Sequence, residues 1–148
     1  MSKSREETKK IAEDFLMTLK KGDRAVVVAL VGDLGTGKTA FSQFIGEALG
    51  VHDHIQSPTF LIEKIYELKH SLWSHLVHID AYRLENEQEL LHLGWGDIIN
   101  SAENLVLVEW ADKVRNILPE DAIHIVFTHA KENDSENSRQ IQITPRPA

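Results

Sequence analysis

Residues 32–39 read Gly-Asp-Leu-Gly-Thr-Gly-Lys-Thr, which fits the phosphate-binding loop pattern G-x-x-x-x-G-K-[ST]. The glycines let the backbone wrap around an anion and direct its N–H groups inward. Lys38 supplies a point charge for the β- and γ-phosphates, and the Thr39 hydroxyl is suited to bind Mg²⁺. The octapeptide therefore predicts a site for a nucleoside triphosphate with magnesium. The other nucleotide-binding residues predicted in and beside it are Gly35, Thr36, Gly37 and Ala40.

The residues on either side of this loop predict a strand and a helix. Before it, residues 25–31 form an unbroken, mostly β-branched run, typical of a strand buried on both faces of a parallel sheet. After it, apolar residues recur at helical spacing, and Gly50 follows as a helix stop. A strand, a loop and a helix in this order place a helix N-terminus under the phosphates. A simple glycine-rich turn would need neither the lysine nor the threonine.

The rest of the chain predicts an α/β protein, a P-loop NTPase-like three-layer sandwich. Two apolar runs separated by a short turn indicate an antiparallel hairpin beside a mostly parallel central sheet. Strands are predicted at 60–68, 72–80, 105–108, 123–127 and 139–144. Helices are predicted at 5–19, 85–100 with an interruption at 94–96, and 111–118. We expect one domain over residues 1–148, with a mobile polar loop at 131–138.

Composition and charge narrow the possible functions. The 148 residues include no cysteine, so the chain has no disulfide framework and no thiolate metal site. The formal net charge is −7, and no dense basic cluster is present, so direct DNA or tight RNA binding is not expected. The polar N-terminus lacks the apolar core of a signal peptide, and no apolar run reaches membrane-spanning length. These features predict a cytoplasmic protein without a membrane anchor.

Two acids follow buried apolar runs and are candidates for the magnesium site. Asp80 ends residues 76–80, and Glu109 ends residues 105–109. If both strands run parallel to the first, both carboxylates lie at the same sheet edge as the phosphate-binding loop. Either acid can bind the metal, directly or through water, while the other orients the attacking water. The sequence does not decide between these two assignments.

Ser57 and Thr59 lie in the segment Ser57-Pro58-Thr59-Phe60, where P-loop proteins often have a switch. A threonine hydroxyl at this place can sense the γ-phosphate through Mg²⁺. The alternative is a simple X-Pro turn into a strand. Spacing alone favours neither interpretation.

The histidines do not predict a metal site. His75 and His78 are three residues apart on a predicted strand, which puts them on opposite faces of the sheet. His52 and His54 flank an acid in a polar segment, which is typical of a solvated loop.

Several segments together resemble one family. They are Gly-Asp-Leu-Gly-Thr-Gly-Lys-Thr, Ser-Pro-Thr-Phe, His78-Ile79-Asp80-Ala81-Tyr82-Arg83, Glu89-Leu90 with Leu93-Gly94, and Val108-Glu109-Trp110. In this order they resemble TsaE (YjeE), the bacterial P-loop ATPases of tRNA threonylcarbamoyladenosine biosynthesis. The resemblance extends from about Thr8 to Arg139, and the second and third segments are far more specific than the loop alone.

The resemblance implies an ATPase that binds ATP and Mg²⁺ and hydrolyses ATP slowly. Such proteins act with TsaD, which transfers the threonylcarbamoyl group to adenosine 37 of tRNAs reading ANN codons, and with TsaB. The tRNA is then contacted only through the complex. Thr39 and Glu109 match the magnesium positions, and Asp80 matches an acid needed for hydrolysis. Thr8 matches a threonine near the nucleotide base, and Arg139 a basic position that also contacts nucleotide.

Two other functions remain open. A small-molecule P-loop kinase needs several arginines on a mobile lid, but the six arginines here are scattered along the chain. A nucleotide-gated binding module would use the same residues to bind ATP, with incidental hydrolysis. A signalling GTPase is disfavoured because the chain lacks the guanine-reading segment Asn-Lys-x-Asp.

Overall fold

The computed structural model describes residues 5–32, 38–51, 63–69, 72–129 and 139–144. The helices within these ranges are α1 (Arg5–Thr18), α2 (Lys38–Ala48), α3 (Glu87–His92) and α4 (Trp95–Asn100). The strands are β1 (Val26–Gly32), β2 (Glu63–Glu67), β3 (His75–Asp80), β4 (Asn104–Glu109), β5 (Ile123–His129) and β6 (Arg139–Thr144). Two 3₁₀ helices span Ala81–Arg83 and Ala111–Ile117. The described helices include none that is both long and apolar enough to cross a bilayer.

The strands form one six-stranded sheet in the order β2-β3-β4-β1-β5-β6. The inner strands β3, β4, β1 and β5 are parallel to their inner neighbours. The outer strands are antiparallel, since β2 pairs with β3 and β6 with β5. The predicted α/β class, the central position of β1 and the antiparallel hairpin are therefore confirmed.

Each face of the sheet packs against a separate layer of helices. Alternate residues of β1 point to opposite faces, so Val28 and Leu30 contact one core while Val27 and Ala29 contact the other. The first core contains the apolar sides of α1 and α2. The second contains those of α3, α4 and the 3₁₀ helix Ala111–Ile117. The result is the predicted three-layer sandwich, with β1 buried on both faces as its apolar run indicates.

Two elements differ in detail from the sequence prediction. Strand β3 begins at His75, later than predicted, and the backbone N–H groups of Ser74 and His75 both donate to the carbonyl of Glu103 at this point. The helix predicted at 111–118 is a 3₁₀ helix, interrupted at Val114 by non-helical backbone angles. The β2 strand covers only the described part of its predicted range, and residues 60–62 and 131–138 lie outside the described residues.

Candidate active site

The candidate site lies at the edge of the sheet where β1, β3 and β4 end. The register places Asp80 opposite Glu109 across the β3–β4 pair, and Glu109 opposite Leu30 across β4–β1. Helix α2 begins at Lys38, so its N-terminus lies at the same edge. The register confirms that the two strand-end acids share one sheet edge, and the end of β1 and the start of α2, between which the loop lies in the sequence, are at that edge too.

The three predicted catalytic side chains are nearly closed to solvent. Lys38 is 5% exposed, Asp80 8% and Glu109 2%. Charged side chains are rarely buried unless they are paired or hydrogen-bonded, because removing them from water costs several kcal/mol. Their burial at one sheet edge indicates a built site, in contrast to a solvated strand end.

Glu109 joins helix α2 to the sheet. The Thr39 hydroxyl, in the first turn of α2, donates to Glu109 Oε1 at 3.0 Å. A carboxylate oxygen and a hydroxyl oxygen at this separation are the hard ligands that Mg²⁺ prefers. The two residues predicted to hold the metal are therefore in contact with each other.

A residue that the sequence prediction missed contacts the other oxygen of Glu109. The Nε2 atom of His78 lies 2.5 Å from Glu109 Oε2, and the histidine is completely buried. The signal is present in the sequence, since His78 and Asp80 are two residues apart on β3 and therefore share a face. The comparison of His78 with His75, which lies on the opposite face, does not connect His78 with the two acids.

Asp80 has a structural contact as well as its place in the site. It precedes the 3₁₀ helix Ala81–Arg83 and accepts a hydrogen bond from the backbone N–H of Tyr82 at 2.9 Å. This N-cap fixes the side chain at the point where β3 ends. The carboxylate is thus held at the same edge as Glu109 and the start of α2.

Lys38 contacts the ends of two strands. Its amine donates to the carbonyl of Gly32 and lies 3.8 Å from the centroid of the Trp110 ring. Trp110 adopts left-handed backbone angles (φ 58°, ψ 41°) directly after β4, and its ring packs on Tyr82 at a centroid distance of 5.0 Å. From the sequence alone, Trp110 could pack against the sheet or help place Glu109. In the structure Trp110 packs against the second core of the sheet, as the first interpretation predicts, and it also lies beside Lys38.

Of the other residues predicted to contact the nucleotide, only Thr8, Ala40 and Arg139 lie within the described part of the chain. Thr8 is buried in α1, and Ala40 in α2 packs against the core below α1 and α2. Arg139 begins β6 and pairs with His129, the last residue of β5, so its backbone reaches the same sheet edge. The predicted residues that lie outside the described ones are Gly35, Thr36, Gly37, Ser57 and Thr59.

The oxygen ligands that the described residues offer are suited to a magnesium ion that also binds a phosphate. In the described ranges, no three His, Cys, Asp or Glu side chains converge as a metal-holding group. Mg²⁺ is commonly held by one or two carboxylates together with the phosphates of a substrate and water. The pair Thr39 and Glu109, with Asp80 opposite in the sheet register, fits that arrangement.

Comparisons with known proteins agree with this arrangement. The family model for "Threonylcarbamoyl adenosine biosynthesis protein TsaE" matches residues 2–141. The tRNA threonylcarbamoyladenosine biosynthesis protein TsaE from Bacillus subtilis is 39% identical over 131 residues, which cover 88% of this chain and 77% of the relative. The one from Rickettsia conorii is 34% identical, with 91% of this chain and 81% of the relative covered.

A solved structure shows the same architecture. The crystal structure of YdiB from Bacillus subtilis superposes with a TM-score of 0.76 at 31% sequence identity. The match covers 99% of this chain and 83% of that one. The relatives therefore match this chain over nearly its whole length, in sequence and in fold. On these grounds the chain belongs to the TsaE family.

Proposed function

We propose that this chain is an ATP-binding, slowly hydrolysing ATPase subunit required for threonylcarbamoylation of adenosine 37 in tRNAs reading ANN codons. It acts with TsaD and TsaB, and it contacts tRNA only through their complex. Curated relatives carry the name "tRNA threonylcarbamoyladenosine biosynthesis protein TsaE", which supports the pathway. The net charge of −7 agrees with a subunit that leaves the tRNA to a partner.

The observation that carries this proposal is the cluster of Lys38, Thr39, Asp80 and Glu109 at one sheet edge. The ammonium group of Lys38 attracts the β- and γ-phosphates, and the N-terminus of α2 favours negative charge beside it. Thr39 and Glu109 would hold Mg²⁺, which neutralises charge that develops on the phosphates during hydrolysis. We place Thr8 and Arg139 at the periphery of the same nucleotide site.

The contacts of Glu109 favour one division of labour between the two acids. One Glu109 oxygen faces Thr39 and the other faces His78, so this carboxylate has a fixed orientation toward the start of α2. We therefore assign Glu109 to the metal and Asp80 to the attacking water. Asp80 would orient that water for attack on the γ-phosphorus, giving ADP and phosphate.

Reconstitution of the complex tests the proposal. ATP hydrolysis should rise when TsaD and TsaB are added, and the mixture should form threonylcarbamoyladenosine on tRNA. Lys38→Ala should abolish productive ATP binding and both activities, because the phosphates lose their point charge. No stimulation by the partners, together with no effect on tRNA modification, would contradict the proposal. ATP-dependent modification without hydrolysis would instead support a nucleotide-gated binding module.

A further inference from the structure

The two oxygens of the Glu109 carboxylate are held from two different elements. Thr39 of α2 donates to Oε1 at 3.0 Å, and His78 of β3 lies 2.5 Å from Oε2. Two such contacts fix the rotation of a carboxylate, which otherwise turns freely about its last bond. The contact with His78 therefore helps to set the plane of the carboxylate and the direction in which it presents an oxygen to the start of α2.

The fold brings His78 to Glu109 through strand register. His78 pairs with Leu107 across β3 and β4, two residues before Glu109 on the same face of the sheet. The His78 ring therefore contacts Glu109 from the neighbouring strand β3, while Thr39 contacts it from helix α2. Both partners of this contact are closed to water, since His78 is 0% and Glu109 2% exposed.

Among the described residues, Glu109 is the hydrogen-bond partner of the His78 imidazole. A carboxylate that binds Mg²⁺ only accepts hydrogen bonds, so in the proposed site Nε2 of His78 would be the donor to Oε2. The other ring nitrogen, Nδ1, is buried and has no hydrogen-bond partner within the described part of the chain.

We propose that His78 is a positioning residue that orients Glu109 for the magnesium ion of bound Mg²⁺-ATP. The inference rests on the proposed function, because it assumes that Glu109 binds this metal. Groups that hydrogen-bond a metal-binding carboxylate from behind fix its orientation, and their loss weakens metal binding. His78 itself contacts neither the metal nor the nucleotide in this account.

The test compares nucleotide affinity with and without magnesium. The probe is a non-hydrolysable ATP analogue, titrated into the purified full chain in Mg²⁺ and, separately, in EDTA. His78→Asn removes the donor from reach of Glu109, whereas the longer amide of His78→Gln can replace Nε2. The matched control is His75→Asn, on the same strand but the opposite face.

We expect His78→Asn to lower the affinity gain from Mg²⁺ by about 10- to 100-fold, as for other partners of metal ligands. Affinity in EDTA should be unchanged, and His78→Gln should retain most of the gain. In a Glu109→Gln background, His78→Asn should have no additional effect on the gain, because no carboxylate remains to be oriented. Thermal unfolding of every variant identifies effects that arise from folding.

Three outcomes would overturn the inference. They are equal losses in Mg²⁺ and EDTA, a full gain in folded His78→Asn, and loss of the gain in folded His78→Gln. If His78→Asn does not fold, loss of the Mg²⁺-dependent gain in folded His78→Gln still overturns the inference. If the wild-type chain itself gains no affinity from Mg²⁺, the metal site of the proposed function fails, and this result is distinguishable from failure of the histidine alone.

Discussion

At the scale of single residues, the site depends on side chains that bridge separate elements. Glu109 at the end of β4 contacts Thr39 in α2 and His78 in β3. Lys38 at the start of α2 contacts the last residue of β1 and the ring of Trp110. Each contact ties the phosphate-binding helix to the sheet, so the chemistry and the local packing rely on the same atoms.

The hydroxyl of Thr39 should be required for magnesium-dependent nucleotide binding. Thr39→Val removes the oxygen but keeps the shape, so affinity in Mg²⁺ should fall by about tenfold or more, or ~1.4 kcal/mol. Thr39→Ser retains the hydroxyl and serves as the matched control, with affinity close to wild type. Calorimetric titration with ADP and Mg²⁺ measures both variants. Equal affinities for the Val and Ser variants would exclude Thr39 from the metal site.

Glu63 at the start of β2 should make stability depend on pH. Burial raises the pKa of its carboxyl group above the ordinary value of 4.5, and its Oε2 has no hydrogen-bond partner within the described residues. The folded chain therefore binds this proton more tightly than the unfolded chain. Stability is lost as pH rises from 4.5 toward the raised pKa, and the deficit persists above it.

Glu63→Gln should remove this deficit. The variant should gain free energy of unfolding relative to wild type at neutral pH, and the advantage should vanish below pH 4.5. Urea denaturation across the pH range measures the difference. Glu67→Gln, an exposed position on the same strand, is the control and should show a smaller effect. A pH-independent difference at Glu63 would contradict the assignment.

Sequence was most informative about residues whose chemistry depends on their position along a strand. Asp80 and Glu109 were predicted because parallel strands bring their carboxyl ends to one sheet edge, where a phosphate-binding loop needs an acid for its metal. His78 was missed because its shared face with Asp80, visible in the sequence, does not by itself show a contact with Glu109, which depends on the β3–β4 register that pairs His78 with Leu107. The contact of Trp110 with Lys38 also requires left-handed backbone angles that local pattern does not reveal.

At the scale of elements, helix α2 ends in a hydrogen-bonded turn that depends on one glycine. Gly50 has a φ of +86°, and its N–H donates to the carbonyl of Glu47 at 3.0 Å. The N–H of Val51 donates to the carbonyl of Gly46 at 2.9 Å. This pair of bonds is the Schellman motif, which satisfies the last carbonyls of the helix.

Gly50→Ala should destabilise the fold through backbone conformation alone. A Cβ at this position would meet nothing within 4 Å, so the cost is that of left-handed angles, about 1–2 kcal/mol. Gly22→Ala is the matched control, since its site is equally open and lacks a positive φ. Chemical denaturation of both variants measures the difference. Equal stabilities would show that the turn at Gly50 adjusts without cost.

The types of the elements were predictable, and some of their ends were not. Unbroken aliphatic runs identify β1 and β4, because a strand that is buried on both faces of the sheet has apolar side chains at every position. At the start of β3, the N–H groups of Ser74 and His75 donate to the carbonyl of Glu103, a residue distant in sequence. The segment 111–117 is a 3₁₀ helix interrupted at Val114, a backbone form that apolar periodicity does not distinguish from an α-helix.

At the scale of the whole molecule, the sheet is stabilised by independent cores on its two faces. Phe41 of α2 is completely buried in the first core. Its ring centroid lies 6.0 Å from that of Phe15 and 5.5 Å from that of Phe127. This residue therefore joins α1, α2 and β5 only one turn from Lys38 and Thr39, and core packing supports the site directly.

Phe41→Ala should lower the free energy of unfolding by about 3–5 kcal/mol, because it removes a buried ring and leaves a cavity. That is a large share of the roughly 5–15 kcal/mol that stabilises a typical domain. Met17→Ala in α1, where the side chain is 85% exposed, is the control and should change stability by less than about 0.5 kcal/mol. Urea unfolding measures both, and a small effect at Phe41 would contradict the packing.

Asp80 is the residue that we propose orients the attacking water when this sheet edge hydrolyses ATP. Asp80→Asn keeps the shape and the acceptor for the Tyr82 N–H but removes the charge. The measurement is phosphate release from ATP with TsaD and TsaB present, with ATP affinity determined in parallel. We predict unchanged affinity and a rate lower by about 100-fold or more, the usual contribution of such a base. A wild-type rate in the folded variant would contradict the claim.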